Sequence, residues 1–210
     1  MGKLFLASNF YIVAPMVARI LQDKQKSKKV IFITTAAEGE DGDKMWLDDD
    51  KNALIKIGLE PIEYTITGKK EADFIEDFQD IEYVFISGGN TFYLLEQAQQ
   101  SEFIPFINQY IQNNDTVYFG SSAGSAIADA DIYPLLHLDD PEKAPKLKDY
   151  KGFGFIDLCL LPHWGSENFK NRYLNKRLGH IYNDKYKIVF LTDNQFLYVK
   201  SDGSYSILEG

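Results

Sequence analysis

The chain has 210 residues, of which 45% are hydrophobic and 25% charged, the balance of an ordinary soluble globular protein. That length suits one domain, residues 1–210, with a sizeable core, and the formal net charge of −9 argues against a basic face for nucleic acid. A single cysteine, Cys159, excludes an internal disulfide; it lies in the apolar run "FIDLCLLP" and reads as a small core residue. No apolar run is long enough to span a bilayer. The run Leu4–Ala7 is too short for a signal-peptide core, so a cytoplasmic protein without a membrane partner is expected.

Short β-rich runs alternate with helical segments. "KLFLAS" (3–8) predicts a first strand, and "VAPMVARILQDK" a helix with Met16, Val17, Ile20 and Leu21 on one face. "KVIFITTAA" predicts a second strand, whose continuous apolar run suits burial on both faces. A helix is expected over 44–57, then a strand at "EPIEYTI" and another at "IEYVFISGGN". Helices follow over 91–100 and 102–112, and "DTVYFG" predicts a fifth strand. "GFIDLCLLPHW" predicts a sixth, followed by a polar helix over 167–182. "YKIVFLTD", "QFLYVKSDG" and "SYSILEG" close the chain as short strands, with Asp202-Gly203 as a hairpin turn. This order implies βαβ units: an α/β fold with a mostly parallel central sheet covered on both faces and antiparallel C-terminal edge strands. Residues 129–150 fit neither period and read as a lid, a binding loop or a solvated insertion.

The stretch "VYFGSSAGSAIA" holds three serines. A nucleophile elbow needs small residues two before and two after the serine, because the strand-to-helix turn is strained. Only Ser122 has them, in Gly120 and Gly124. The turn would expose its hydroxyl at the carboxyl end of the sheet and aim the Ala123 N–H at a developing oxyanion. In "FISGGNTF", a strand ends in Gly88-Gly89, and Asn90 and Thr91 can cap the next helix. Gly89 is the candidate second oxyanion donor.

A serine nucleophile needs a base. Of His137, His163 and His180, only His163 follows directly on a strand, in "LLPHW". If that strand runs parallel to the fifth, His163 emerges beside Ser122. Candidates for an acid behind the histidine are Asp139 and Asp140 in the long loop, with Asp129, Asp131, Glu167 and Asp193 also available. Candidate cations for an acidic substrate are Arg172, Arg177, Lys143, Lys146, Lys148 and Lys151. There is no cluster of Cys and His ligands, so no metal or organic cofactor is expected.

"GGNTF", "GSSAGS" and "LPHW", each after a strand and in this order, resemble the dipeptidase E and cyanophycinase group of serine peptidases. The resemblance runs from about Lys3 to Val199. It implies a three-layer α/β/α fold related to class I glutamine amidotransferases and hydrolysis of peptide bonds in short peptides, with aspartyl dipeptides as candidate substrates. It places the nucleophile on Ser122, the histidine on His163 and the Gly-Gly-Asn-Thr loop on Gly88–Thr91. Its acid points to Asp139 in "LDDP", although the spacing from the serine is longer here and the family's asparagine is absent. Asn90 and Arg172 are the substrate-binding candidates. Two other enzyme classes share the elbow. A glutamine amidohydrolase would carry a cysteine there and a His-x-Glu pair, where this chain has Ser122 and Gly165. An esterase, or a catalytically silent binding or regulatory protein on the same fold, remains the alternative.

Overall fold

The computed structural model describes residues 2–21, 27–113, 116–183 and 185–210. Among these, nine strands are formed: β1 Lys3–Ala7, β2 Lys29–Ile33, β3 Glu60–Tyr64, β4 Tyr83–Ile86, β5 Val117–Ser121, β6 Cys159–Leu161, β7 Ile188–Phe190, β8 Gln195–Val199 and β9 Tyr205–Glu209. The helices are α1 Phe10–Leu21, α2 Thr35–Glu38, α3 Met45–Lys56, α4 Glu71–Asp77, α5 Thr91–Gln100, α6 Phe103–Asn113, α7 Ala123–Ala126, α8 Glu167–Arg172 and α9 Leu178–Ile181; a π-helical segment, Tyr173–Arg177, joins the last two. The expected end of the first helix, through Lys24, and the start of the fifth strand at Asp115 lie outside the described residues.

Seven strands form one sheet in the order β3-β2-β4-β5-β1-β8-β9. The first five run parallel, and β8 and β9 add antiparallel strands at one edge. Alternate residues feed two cores. Phe5, Phe32, Phe85 and Phe119 pack with α1 and α3 on one face, whereas Leu4, Leu6, Ile31, Ile33, Val84 and Ile86 pack with α4 to α7 on the other. This is the period of two expected of a doubly covered strand, and it makes three layers. Among the described residues, no helix is long and apolar enough to cross a membrane.

Two expectations are corrected. The run "GFIDLCLLPHW" does not join the central sheet: only Cys159–Leu161 forms a strand, and it pairs in parallel with β7 as a separate two-stranded sheet. The free edge of β1 is taken instead by β8, from Leu4↔Val199 to Ala7↔Phe196. The segment "YKIVFLTD" is therefore parallel to β6 rather than part of the antiparallel edge. The helix α4 was not expected; it is short, and one of its apolar residues, Phe74, is fully buried. The hairpin at Asp202-Gly203 is present, with Gly203 N–H donating to Lys200 O at 2.9 Å and Gly203 at φ 83°.

Residues 129–150 are a packed loop. Leu135, Leu138 and Ala144 are buried. Ile132 N–H donates to Tyr150 O at 2.8 Å, and Lys148 N–H to Gln99 Oε1 on α5 at 3.0 Å. Arg177, fully buried in the π-helical segment, holds the Leu135 carbonyl through Nη2.

The turn after β5 presses directly on β4. A Cβ on Gly124 would lie 2.0 Å from Ile86 O, and one on Gly120 would lie 2.6 Å from Gly124 O. Both neighbours are backbone, so neither can swing aside. Gly124→Ala is expected to cost about 2–3 kcal/mol as overpacking, measured as a lower urea midpoint at unchanged m-value; an unchanged midpoint would mean that the turn yields freely.

Candidate active site

Ser122 sits between β5 and α7 at φ 50°, ψ −106°. A non-glycine residue there is strained and persists only where the surroundings fix it. They do so from several sides. Ser122 N–H donates to Ala7 O at 3.0 Å, Ser122 O accepts from Ala126 N–H at 2.9 Å, and the buried Tyr118 hydroxyl donates to Gly124 O at 2.6 Å. The neighbouring serines point elsewhere. Ser125 Oγ donates to Ala7 O at 2.7 Å, and Ser121 Oγ accepts from Phe10 N–H at 3.3 Å.

Ser122 Oγ lies 2.9 Å from His163 Nε2. On the other side of the ring, Nδ1 is 2.7 Å from Asp193 Oδ1. A carboxylate only accepts, so Nδ1 carries the proton and Nε2 is left to accept from the Ser122 hydroxyl. His163 is also held at positive φ, 63°, and its side chain is 15% exposed. Its ring stacks on Phe169 at 4.3 Å, whereas Trp164 turns away to Tyr173 and Phe190. Although β6 is outside the main sheet, His163 still reaches Ser122.

Ser8, at the end of β1, is a contributor that the sequence did not reveal. It is fully buried. Its Oγ accepts the His163 N–H at 2.7 Å and donates to Asp193 Oδ1 at 3.1 Å. The His163 imidazole beside Asp193 holds that carboxyl below the usual carboxylate range, partly against burial; Ser8 adds to the effect.

Asp139, expected behind the histidine, has other partners. Its Oδ2 accepts from Thr91 N–H at 2.9 Å and from Thr91 Oγ1 at 2.5 Å, at the first turn of α5. There it complements the helix dipole and lines the pocket wall. Asp193, noted in the sequence only as one available acid among several, occupies the place at Nδ1. Asn90 caps α5 as expected, its Oδ1 accepting from Tyr93 N–H at 2.9 Å, while Nδ2 donates to Asp140 O at 3.0 Å. The same side chain also favours the charged form of Glu40, on the pocket wall, by a hydrogen bond.

Gly89 lies at φ 139°, and a Cβ there would fall 2.3 Å from the Ala36 backbone. Glycine is required at this position for close approach as much as for its dihedral. Neither the Gly89 nor the Ala123 N–H makes a hydrogen bond among the described residues, and Gly88 and Gly89 line the same pocket as Ser122.

That pocket has a volume of about 390 Å³ and opens at the carboxyl ends of the parallel strands. Arg172 is the cation on its wall; Nη1 donates to Leu138 O at 2.8 Å and the guanidinium stands 5.1 Å from the Phe169 ring centre. Glu40 and Asp139 face the same space, and burial together with the Asp139 charge raises the Glu40 carboxyl above its ordinary value. Of the loop lysines, Lys143 pairs with Asp41 at 2.7 Å. A larger cavity of about 910 Å³ lies at the amino ends of the strands, beside Lys29, Glu82 and Thr116, remote from Ser122. No group of three or more His, Cys, Asp or Glu side chains among the described residues is disposed to hold a metal ion. Cys159 is buried, and desolvation pushes its thiol well above the ordinary value.

Comparison with known proteins gives a consistent result. The family model described as peptidase family S51 matches residues 5–207. The chain is 32% identical to an uncharacterized peptidase, PM1590, of Pasteurella multocida, over 78% of each chain. It is 29% identical to peptidase E of Actinobacillus pleuropneumoniae, over 93% of this chain and 77% of that one. A crystal structure of a candidate peptidase E from Listeria monocytogenes superposes with a TM-score of 0.89 at 25% identity, covering 100% of this chain and 99% of the other. A peptidase from an acI-B1 actinobacterium shares the fold, with a TM-score of 0.74 at 16% identity. The chain belongs to peptidase family S51 and is a serine-type peptidase.

Proposed function

We propose that this chain is a cytoplasmic serine peptidase of short peptides in which Ser122 is the nucleophile, His163 the general base and Asp193 the acid that orients it. The observation that carries the reading is the run of contacts from Ser122 Oγ through the His163 ring to Asp193, at 2.9 and 2.7 Å. His163 Nε2 takes the proton as Ser122 Oγ attacks the scissile carbonyl carbon. The Gly89 and Ala123 N–H groups hold the tetrahedral oxyanion. His163 then gives its proton to the leaving amine. Water, deprotonated by the same nitrogen, attacks the acyl-enzyme and frees Ser122. General-base help of this kind contributes about 10²–10⁴-fold, and one oxyanion donor about 10²–10³-fold.

The role of the acid separates this reading from the one based on sequence. Asp193→Asn keeps the shape but allows the wrong imidazole tautomer, and is expected to lower kcat by about 10²-fold or more. Asp139→Asn leaves His163 and its partners in place and should cost less. A larger loss at Asp139 than at Asp193 would reverse the assignment.

The reading is tested first by mass spectrometry after treatment with a small fluorophosphonate. A single adduct on Ser122, absent in His163→Ala, is expected. A folded protein that takes up no label would sink the nucleophile assignment.

Substrate class follows from the size and charge of the pocket. A volume of about 390 Å³ suits a short peptide, and the packed loop 129–150 forms one wall of the site through Asp139. Arg172 provides a positive group for an aspartyl side chain, and Glu40 and Asp139 provide negative ones for an α-ammonium group. Loss of a charge-assisted contact costs about 1.5–3 kcal/mol, so Arg172→Ala should reduce kcat/KM for Asp-X dipeptides by about 10–100-fold and for Leu-X dipeptides much less. Equal rates on Asp-X and Leu-X in the unaltered enzyme would remove the acidic preference.

A further inference from the structure

Beneath the elbow lies a carboxyl that no step above uses. Asp50, in α3, is 1% exposed. Its Oδ1 accepts the Tyr11 N–H at 3.0 Å, and its Oδ2 is buried with no hydrogen-bond partner among the described residues. The Ser121 hydroxyl stands beside it and favours its charged form. That hydroxyl already accepts the Phe10 N–H at 3.3 Å. Its own proton is still to be donated, and the Asp50 carboxylate is the acceptor at hand. The first turn of α1, the last residue of β5 and the middle of α3 therefore meet at one buried carboxyl.

Both halves of the site hang on this junction. Ser121 immediately precedes Ser122. Two residues before Phe10, Ser8 holds the His163 N–H and the Asp193 carboxylate. We propose that Asp50 is a positioning residue: by fixing the Ser121 hydroxyl and the first turn of α1, it sets the distance between the Ser122 hydroxyl and the His163 ring. The proposal rests on Ser122 and His163 being nucleophile and base.

A carboxyl retained for stability alone would be badly placed here. Burial pushes Asp50 up to about 7, against the help of the Ser121 hydroxyl and the Tyr11 N–H, and the charge of Asp49 on the same helix pushes the same way. From α1 and β5, the described residues give it those two uncharged donors. The folded chain thus holds this proton more tightly than the unfolded chain does. The associated stability is present below the unfolded-state pKa of about 4 and is lost as pH rises towards 7. Above neutrality the carboxylate is a buried charge with one bare oxygen, the pattern of a site that gives up stability for function.

The test compares the wild type, Asp50→Asn, Ser121→Ala and the double variant, by the rate at which the small fluorophosphonate labels Ser122 and by thermal unfolding. Asparagine keeps the shape and an oxygen for the Tyr11 N–H. In Asp50→Asn the maximal labelling rate is expected to fall about tenfold, with the half-saturating concentration moving less than about threefold. The double variant should be no slower than the slower single one. At pH 8, Asp50→Asn should melt at or above the wild-type temperature, an advantage that shrinks towards pH 5. A merely structural carboxylate would lower the melting temperature and leave labelling of the folded protein unchanged. Wild-type labelling in folded Asp50→Asn overturns the proposal, and so do losses that multiply in the double variant. If Asp50→Asn does not fold, Ser121→Ala decides alone, and wild-type labelling there overturns it. Absence of label in the wild type overturns the nucleophile assignment and this proposal with it, a result distinct from unimpaired variants.

Discussion

The site depends on one steric constraint, the approach of the turn after β5 to the backbone at the end of β4. Gly124 stands where any side chain would strike Ile86 O, and Gly120 where one would strike Gly124 itself. With no room for a Cβ on either side, the chain between them passes through a conformation that an L-residue seldom adopts, and Ser122 is the residue that adopts it. Its hydroxyl then stands clear of the turn while the Ala123 N–H opens a helix next to it. The same closeness recurs at Gly89, packed on the Ala36 backbone. Three glycines, each needed for contact, thus bring the ends of β4 and β5 and the turn after β2 together around one pocket.

The polar half of the site is built differently. His163 comes from the small β6–β7 sheet, Asp193 from the turn between β7 and β8, and Ser8 from the end of β1. No element is shared: backbone pairing brings the three segments together, with Trp164 N–H donating to Leu191 O at 3.0 Å and Ser8 N–H to Gln195 O at 3.2 Å, and side-chain hydrogen bonds then set the position of the ring. The Ser8 hydroxyl is well suited to this, since it accepts from the histidine backbone and donates to the aspartate with one group. Phe169 covers the ring and limits its rotation. The result is an imidazole fixed in tautomer and plane before any substrate arrives, and such preorganisation is where most of the advantage of a charged transition state is gained.

Much of this was legible in the chain because strain leaves a mark on neighbouring residues. Ser122 could be told from Ser121 and Ser125 by the glycines two positions away, and Gly88-Gly89 by their place at the end of an apolar run. His163 was legible as the histidine following directly on a strand. Asp193 was not, because nothing local distinguishes it from other acids; its role comes from a meeting of two sheets thirty residues apart in sequence. Asp139 was indicated by "LDDP", and it lines the pocket, but it spends one oxygen on the helix start of Thr91. The pairing of β6 with β7 is hidden in the sequence for a similar reason. An apolar run tells that a strand is buried, but not which neighbour it takes, and the edge of β1 had gone to β8 from the far end of the chain.

That last pairing also bears on the order in which the pieces of the site can assemble. On a ribosome the elbow emerges well before His163, and His163 before Asp193. The strand β1, made first, has one edge open until β8, made nearly last, arrives to close it. Until then the nascent chain presents an unpaired, apolar strand edge of the sort that invites association. The closure that removes that edge also brings in Asp193, two residues ahead of β8. Closing that edge and bringing the proposed acid against His163 are therefore one structural event.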